Sequence, residues 1–217
     1  IYYHGWQTAK ELVLTQGRKL AAKNFRVLLP DAANHGERKT KTSEIPSLTF
    51  WDSIQTNLYE FVFGGLFWKP WIGHGEIGVG GISMGGITTC MLLTQHPEIN
   101  VAACVMGSPA PIKYRERIAM HAGELGFYLP KDYRQLTSWL EAYDLSLAPE
   151  KLRGVLYSFG MEQKMKGTLS AYCWFIKANP QANITFVSAE ERHFVQIATM
   201  DQITKFFADN LGISERT

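Results

Sequence analysis

Apolar residues along this 217-residue chain follow two different periods, and the two alternate from one end to the other. Short β-prone apolar runs stand at residues 1–3, 25–29, 76–81, 101–106, 154–159 and 183–187. Between them lie stretches with helical spacing: 8–23, with Leu12, Leu14, Leu20 and Ala21; 50–63, with Trp51, Ile54, Leu58 and Phe61; 84–96; and 195–211. Strands alternating with helices predict an α/β fold, a mostly parallel sheet with helices on both faces. Residues 113–151 carry no strand signal, only helix-like pieces broken at Gly126 and Pro130, and are expected to form a small helical cap insertion. No repeat or linker divides the chain, so one domain over residues 1–217 is expected, already under way at Ile1-Tyr2-Tyr3 as if upstream residues were missing.

Composition narrows the function without choosing it. The chain has 22 basic and 20 acidic residues, net +2, which does not point to nucleic acid or a membrane surface as partner. The longest apolar run, 61–68, is bounded by Glu60 and Lys69 and is too short to span a bilayer. Cys90, Cys104 and Cys173 are odd in number and widely spaced, so a reducing, cytoplasmic setting without disulfides is expected. No two histidines fall at i, i+4 and no carboxylates cluster about them, so no metal is expected, and no cofactor.

Chemistry concentrates in Gly80-Gly81-Ile82-Ser83-Met84-Gly85-Gly86. A serine between a buried strand and an apolar helix, with glycine two positions before and after, is the pattern of a sharp turn that lifts a nucleophilic hydroxyl above the sheet edge. The helix that follows presents its positive end to a developing oxyanion. A dinucleotide-binding frame beginning at Gly78 fails, because it needs glycine where Ser83 stands.

Attack by Ser83 on an ester would create an oxyanion that needs two N–H donors. One is expected from Met84, the other from Trp6 in the turn Tyr3-His4-Gly5-Trp6. His4 reads as packing beneath that turn, and His35 reads as structural. His74 and His96 look solvent-facing, and His121 lies in the insertion. His193, after the last predicted strand, has the position and chain order of the general base. Glu162 is the one carboxylate in the loop after residues 154–159 and is the candidate acid; Asp144 or Glu150 would have to come from the insertion.

These motifs, with Pro30-Asp31 and His35-Gly36-Glu37, resemble the small bacterial esterases of the prolyl-oligopeptidase-like and dienelactone-hydrolase-like branch of the α/β-hydrolases. The resemblance implies carboxylester hydrolysis through an acyl-enzyme, with Ser83 and His193 as nucleophile and base and the Trp6 and Met84 amides as oxyanion hole. It implies a small-molecule ester substrate, and a homodimer is left open. The chain departs from the family at the usual H-G-x-x-D, where Phe159 and Gln163 replace the histidine and the aspartate. Two other functions therefore compete: a peptidase or amidase of the same fold, and a weakened, hydrolase-like binding protein without its acid.

Overall fold

The computed structural model describes residues 1–40, 45–72, 75–124, 126, 128–152, 155–160, 180, 183–189 and 195–211. Five parallel strands form the sheet, in spatial order β1 (Tyr2–Tyr3), β2 (Ile77–Ile82), β3 (Ile99–Val105), β4 (Val155–Gly160) and β5 (Ile184–Ala189). Helices cover both faces, as the alternating pattern predicts. On one side lie α2 (Pro46–Ile72) and α3 (Met84–Gln95), on the other α1 (Leu14–Ala21) and α6 (Ile197–Asn210).

The two cores show the period of two that makes a strand two-faced. Along β3, Ala102 and Cys104 join the core under α3, while Val101, Ala103 and Val105 join the core under α6. Strand β2 is rich in glycine because neighbours fill the space: the Tyr2 ring lies over Gly80 and the Phe207 ring over Gly78. Helix α3 is buried from Met84 through Thr94, which explains its nearly uniform apolar sequence. Its threonines are satisfied locally, Thr88 donating to the Met84 carbonyl and Thr89 to the Gly85 carbonyl. Cys90 and Cys104 are both buried and free.

Several expected elements differ in detail. Residues 25–29 run beside β1 without forming a strand: among the described residues their ladder reduces to the Tyr2 N–H donating to the Leu28 carbonyl at 2.9 Å. The helix expected over 8–23 is a 3-10 turn, Lys10–Val13, followed by α1. Helix α2 runs well past the predicted 50–63, to Ile72. The insertion consists of α4 (Pro111–His121), α5 (Tyr133–Leu136) and a series of 3-10 turns between Ser138 and Lys151.

The join between β2 and α3 positions everything above the sheet. A β-carbon on Gly85 would lie 2.4 Å from the Tyr3 carbonyl oxygen and 2.8 Å from that of His4. Glycine there lets α3 begin directly over the end of β1. Gly85→Ala is therefore expected to cost about 2–3 kcal/mol by overpacking against backbone that cannot retreat. Urea unfolding of the variant checks this, and an unchanged midpoint would contradict it.

Candidate active site

Ser83 occupies the single residue between β2 and α3. Its backbone sits at φ +56°, ψ −110°, a conformation that costs a non-glycine residue on the order of 1–3 kcal/mol. Two hydrogen bonds hold it there: Ser83 N–H donates to the Val105 carbonyl at 2.8 Å, and Ile87 N–H donates to the Ser83 carbonyl at 2.9 Å. The end of β3 bends to match, with Met106 at φ +49° and Gly107 packed directly on the Gly86 backbone. The result is a half-buried serine raised at the carboxyl edge of the sheet, in front of a buried helix N-terminus.

The turn after β1 lies against this serine. A β-carbon on Gly5 would be 3.6 Å from Ser83 Cβ. Both peptide units flanking Trp6 are anchored by a neutral histidine. His4 is 1% exposed, and its Nε2 accepts from the Ala32 N–H at 2.9 Å, so the proton resides on Nδ1, 2.8 Å from the Gly5 carbonyl. That carbonyl also accepts from the Thr8 hydroxyl at 2.7 Å. The Gly5–Trp6 peptide is trans, so a carbonyl fixed toward His4 and Thr8 turns the Trp6 N–H the opposite way. On the other side, Gln7 N–H donates to His35 Nε2 at 3.1 Å, and His35 Nδ1–H donates to the Ala33 carbonyl at 2.8 Å. Gln7 is itself at φ +58°. A strain of about 1–2 kcal/mol at such a residue matches the roughly 1 kcal/mol that one neutral hydrogen bond returns.

Among the described residues, backbone donors at two points are not consumed by the fold. Met84 opens α3, so its N–H has no carbonyl one turn back. Among the described residues, no carbonyl takes the N–H of Trp6 or of Met84.

Asp31 ties the turn to the rest of the chain. Its carboxylate accepts from the Lys10 N–H at 2.8 Å and the Glu37 N–H at 3.1 Å, and pairs with the Lys10 ammonium at 3.1 Å. Gly36 is required here twice over: it has φ +53°, and a β-carbon on it would lie 2.3 Å from Asp31 Cγ. Burial opposes the Asp31 charge, but the Lys10 and Glu37 donors outweigh it and hold the carboxyl below its ordinary value. His4 and His35 move the other way: burial lowers both imidazoles below their ordinary 6.5 and outweighs their bonds to the Gly5 and Ala33 carbonyls.

Aromatic side chains continue the turn outward. The Trp6 ring meets His35 edge-on at 4.9 Å and Phe50 at 5.5 Å, and Phe50 stacks on Tyr114 of α4 at 6.0 Å. Trp51 Nε1–H donates to the Tyr133 hydroxyl at 2.8 Å, joining α2 to α5.

The structure thus brings Ser83, which directly precedes Met84, against Gly5 of the turn that continues into Trp6. His193, Glu162 and Gln163 lie outside the described residues, as do His74 and Cys173. Asp144 is occupied elsewhere: it accepts from the Ile112 N–H at 3.1 Å, from the Ser146 N–H at 2.9 Å and from the Ser146 hydroxyl, so it fastens the start of α4. Glu150 is exposed. His96, expected to face solvent, packs edge-on against Phe61 at 4.6 Å and contacts Glu98 at 2.8 Å. Asp31, Thr8 and Phe50 were given no role by sequence reasoning.

Among the described residues no helix is long and apolar enough to cross a membrane, and no group of His, Cys, Asp and Glu could hold a metal ion. An all-parallel sheet, helices on both faces and a serine at the strained turn into a buried helix together define an esterase-like α/β-hydrolase fold. The chain belongs to that superfamily, in the family of the Bacillus subtilis (strain 168) protein named "Putative esterase YitV", with which it is 38% identical over 173 residues, 76% of this chain and 68% of that one. It is 29% identical to "Esterase YjfP" of Escherichia coli (strain K12) over 110 residues, half of this chain and 44% of YjfP. The solved structure of TT1662 from Thermus thermophilus shares the fold, with a TM-score of 0.74 and 17% identity, covering 97% of this chain and 87% of that one. No family model matches the chain.

The buried charges make stability pH-dependent with a definite sign. Below 6.5 the unfolded chain takes up protons that the buried His4 and His35 refuse, so stability falls as pH drops below 6.5. Asp31 stays ionised to lower pH when folded, so its contribution is intact above 3.8 and is lost as pH falls through its lower folded value. Thermal melts between about pH 7.5 and pH 3 check both windows. Asp31→Asn should remove the second and leave the first; a Tm flat between about pH 6.5 and 5 would contradict the first.

Proposed function

We propose that the chain is a serine carboxylesterase acting on small acyl esters, with Ser83 as nucleophile. The observation that carries this reading is the strained Ser83 turn with the Gly5 turn packed against it; among the described residues, no carbonyl takes the Trp6 or Met84 N–H. The esterase names of YitV and YjfP support the reaction class. Within the superfamily, the G-x-S-M-G-G turn and the His-Gly-Trp turn support the prolyl-oligopeptidase-like and dienelactone-hydrolase-like branch. The two free buried cysteines are compatible with work in the cytoplasm.

In the proposed reaction, Ser83 Oγ attacks the ester carbonyl carbon while His193 takes its proton. The carbonyl oxygen becomes an oxyanion held by the Trp6 and Met84 N–H groups, where losing one such donor costs about 3–4 kcal/mol of barrier. Collapse breaks the bond to the alcohol, which leaves with the proton from His193. Water, deprotonated by His193, then hydrolyses the acyl-Ser83 ester and regenerates the hydroxyl. Glu162 orients His193 in this scheme, and α4 with the Trp6–Phe50–Tyr114 row forms the apolar side over the acyl group.

Ser83→Ala should lower turnover of p-nitrophenyl acetate and butyrate by at least about 10⁴-fold while leaving Tm within a few degrees of the wild type or above it. A fluorophosphonate should label the wild type at Ser83 and leave the variant unlabelled. Equal rates for the two proteins would overturn the reading.

A further inference from the structure

We infer that His35 is a positioning residue for ester hydrolysis, holding the Trp6–Gln7 peptide so that the Trp6 N–H keeps its aim above Ser83; this rests on the proposed role of Trp6 as oxyanion donor. The two peptide units around Trp6 are fixed separately. The Gly5–Trp6 unit is held by His4 and Thr8 on the Gly5 carbonyl, and the Trp6–Gln7 unit by His35 on the Gln7 N–H. Gln7 is exposed and at φ +58°, so the chain itself does not favour this turn. What keeps it is an acceptor placed opposite its N–H.

That acceptor must be an unprotonated nitrogen. His35 Nδ1 is committed as donor to the Ala33 carbonyl, which leaves Nε2 with its lone pair toward Gln7. The ring cannot swing away, because Trp6 lies edge-on at 4.9 Å and His4 at 5.2 Å. The charged or titratable groups that face it are His4 and Lys39, which disfavour a second proton, and Asp31, which favours one but is already paired with Lys10. Burial is the largest influence and keeps the imidazole neutral. His35 reaches neither the serine nor the ester. It acts on turnover through Trp6, the residue its ring touches and whose following peptide it holds.

Two isosteres separate this role from plain loop support. His35→Gln places an amide oxygen where Nε2 stood and keeps the acceptor for Gln7. His35→Asn places an amide N–H where Nδ1 stood, keeping the bond to Ala33 and losing the acceptor. With p-nitrophenyl acetate, His35→Asn should lower kcat by about ten- to a hundred-fold, part of the 10²–10³ lost with a whole oxyanion donor, with KM little changed. His35→Gln should stay within about three-fold of wild type. Ser83→Ala is measured alongside. If it is inactive while His35→Asn equals or exceeds His35→Gln, or while the loss lies in KM alone, the inference falls and the esterase reading stands. Activity persisting in Ser83→Ala overturns both. Should a His35 variant not fold, amide hydrogen exchange in the wild type decides: protection of Gln7 supports the inference, and exchange at open-loop rate overturns it.

Discussion

The approach of Gly85 to the Tyr3 and His4 carbonyl oxygens is the constraint from which the rest of the site follows. Pairing of Tyr3 with Gly81 sets the end of β1 beside the end of β2, two residues before α3 begins. Any side chain at position 85 would push α3 off that edge, and the His4-Gly5-Trp6 turn would no longer meet Ser83. With the approach in place, the turn at Ser83 has no room for an ordinary backbone conformation. Its strain is offset by bonds to Val105 and Ile87 and by a helix buried along nearly its whole length. A cost of a few kcal/mol at one residue is tolerable because α3 is otherwise fully committed to the core.

The turn after β1 and the loop at 31–37 hold an ionised carboxylate and two neutral imidazoles close together, and the assignment is not arbitrary. His4 Nε2 lies 4.0 Å from Asp31 Oδ1, a distance at which a protonated ring would form an ion pair. It does not need to, because Lys10 already compensates Asp31 from the less buried side and the Lys10 and Glu37 amides fill its lone pairs. His4 Nε2 is meanwhile spent on the Ala32 N–H. A charged ring would turn that acceptor into a donor facing a donor. Pairing the acid with a half-buried base is thus what frees both histidines to act as acceptors for backbone N–H groups.

How far the sequence discloses this depends on the range of each interaction. The alternation of parallel strands with helices and the Ser83 turn are legible because they are written in local periodicity and in glycines a few residues from the serine. The approach of the Gly5 turn to Ser83 is legible only through the Tyr3-His4-Gly5-Trp6 motif, since no local pattern links segments so far apart along the chain. The Asp31 network is not legible. Lys10 and Asp31 are 21 residues apart, and nothing local distinguishes a buried acceptor of three bonds from a loop carboxylate. Residues 25–29 mislead for a related reason: their apolar run is set by the core they cover, with Phe25, Val27 and Leu29 packed against α6's side of the sheet, and that requires no complete ladder. His96 misleads by its polarity, which says nothing of the Phe61 edge that partly covers it.

A backbone donor makes no demand on the side chain that carries it, so the presence of tryptophan at position 6 needs a separate cause. Its ring supplies one. It fills the corner between His35 and Phe50, and through Phe50 it is continuous with Tyr114 on α4. Edge-on and stacked contacts of this kind are worth about 0.5–1.5 kcal/mol each beyond the area they bury, comparable to the hydrogen bond His35 makes to Gln7. The turn is therefore held by two similar forces from different directions, a histidine acting on its backbone and an aromatic row acting on its side chain. Neither alone exceeds the strain at Gln7 by much. A shift of α4 along that row would reach the Trp6 ring directly, so α4 and the turn beside Ser83 belong to one mechanical unit.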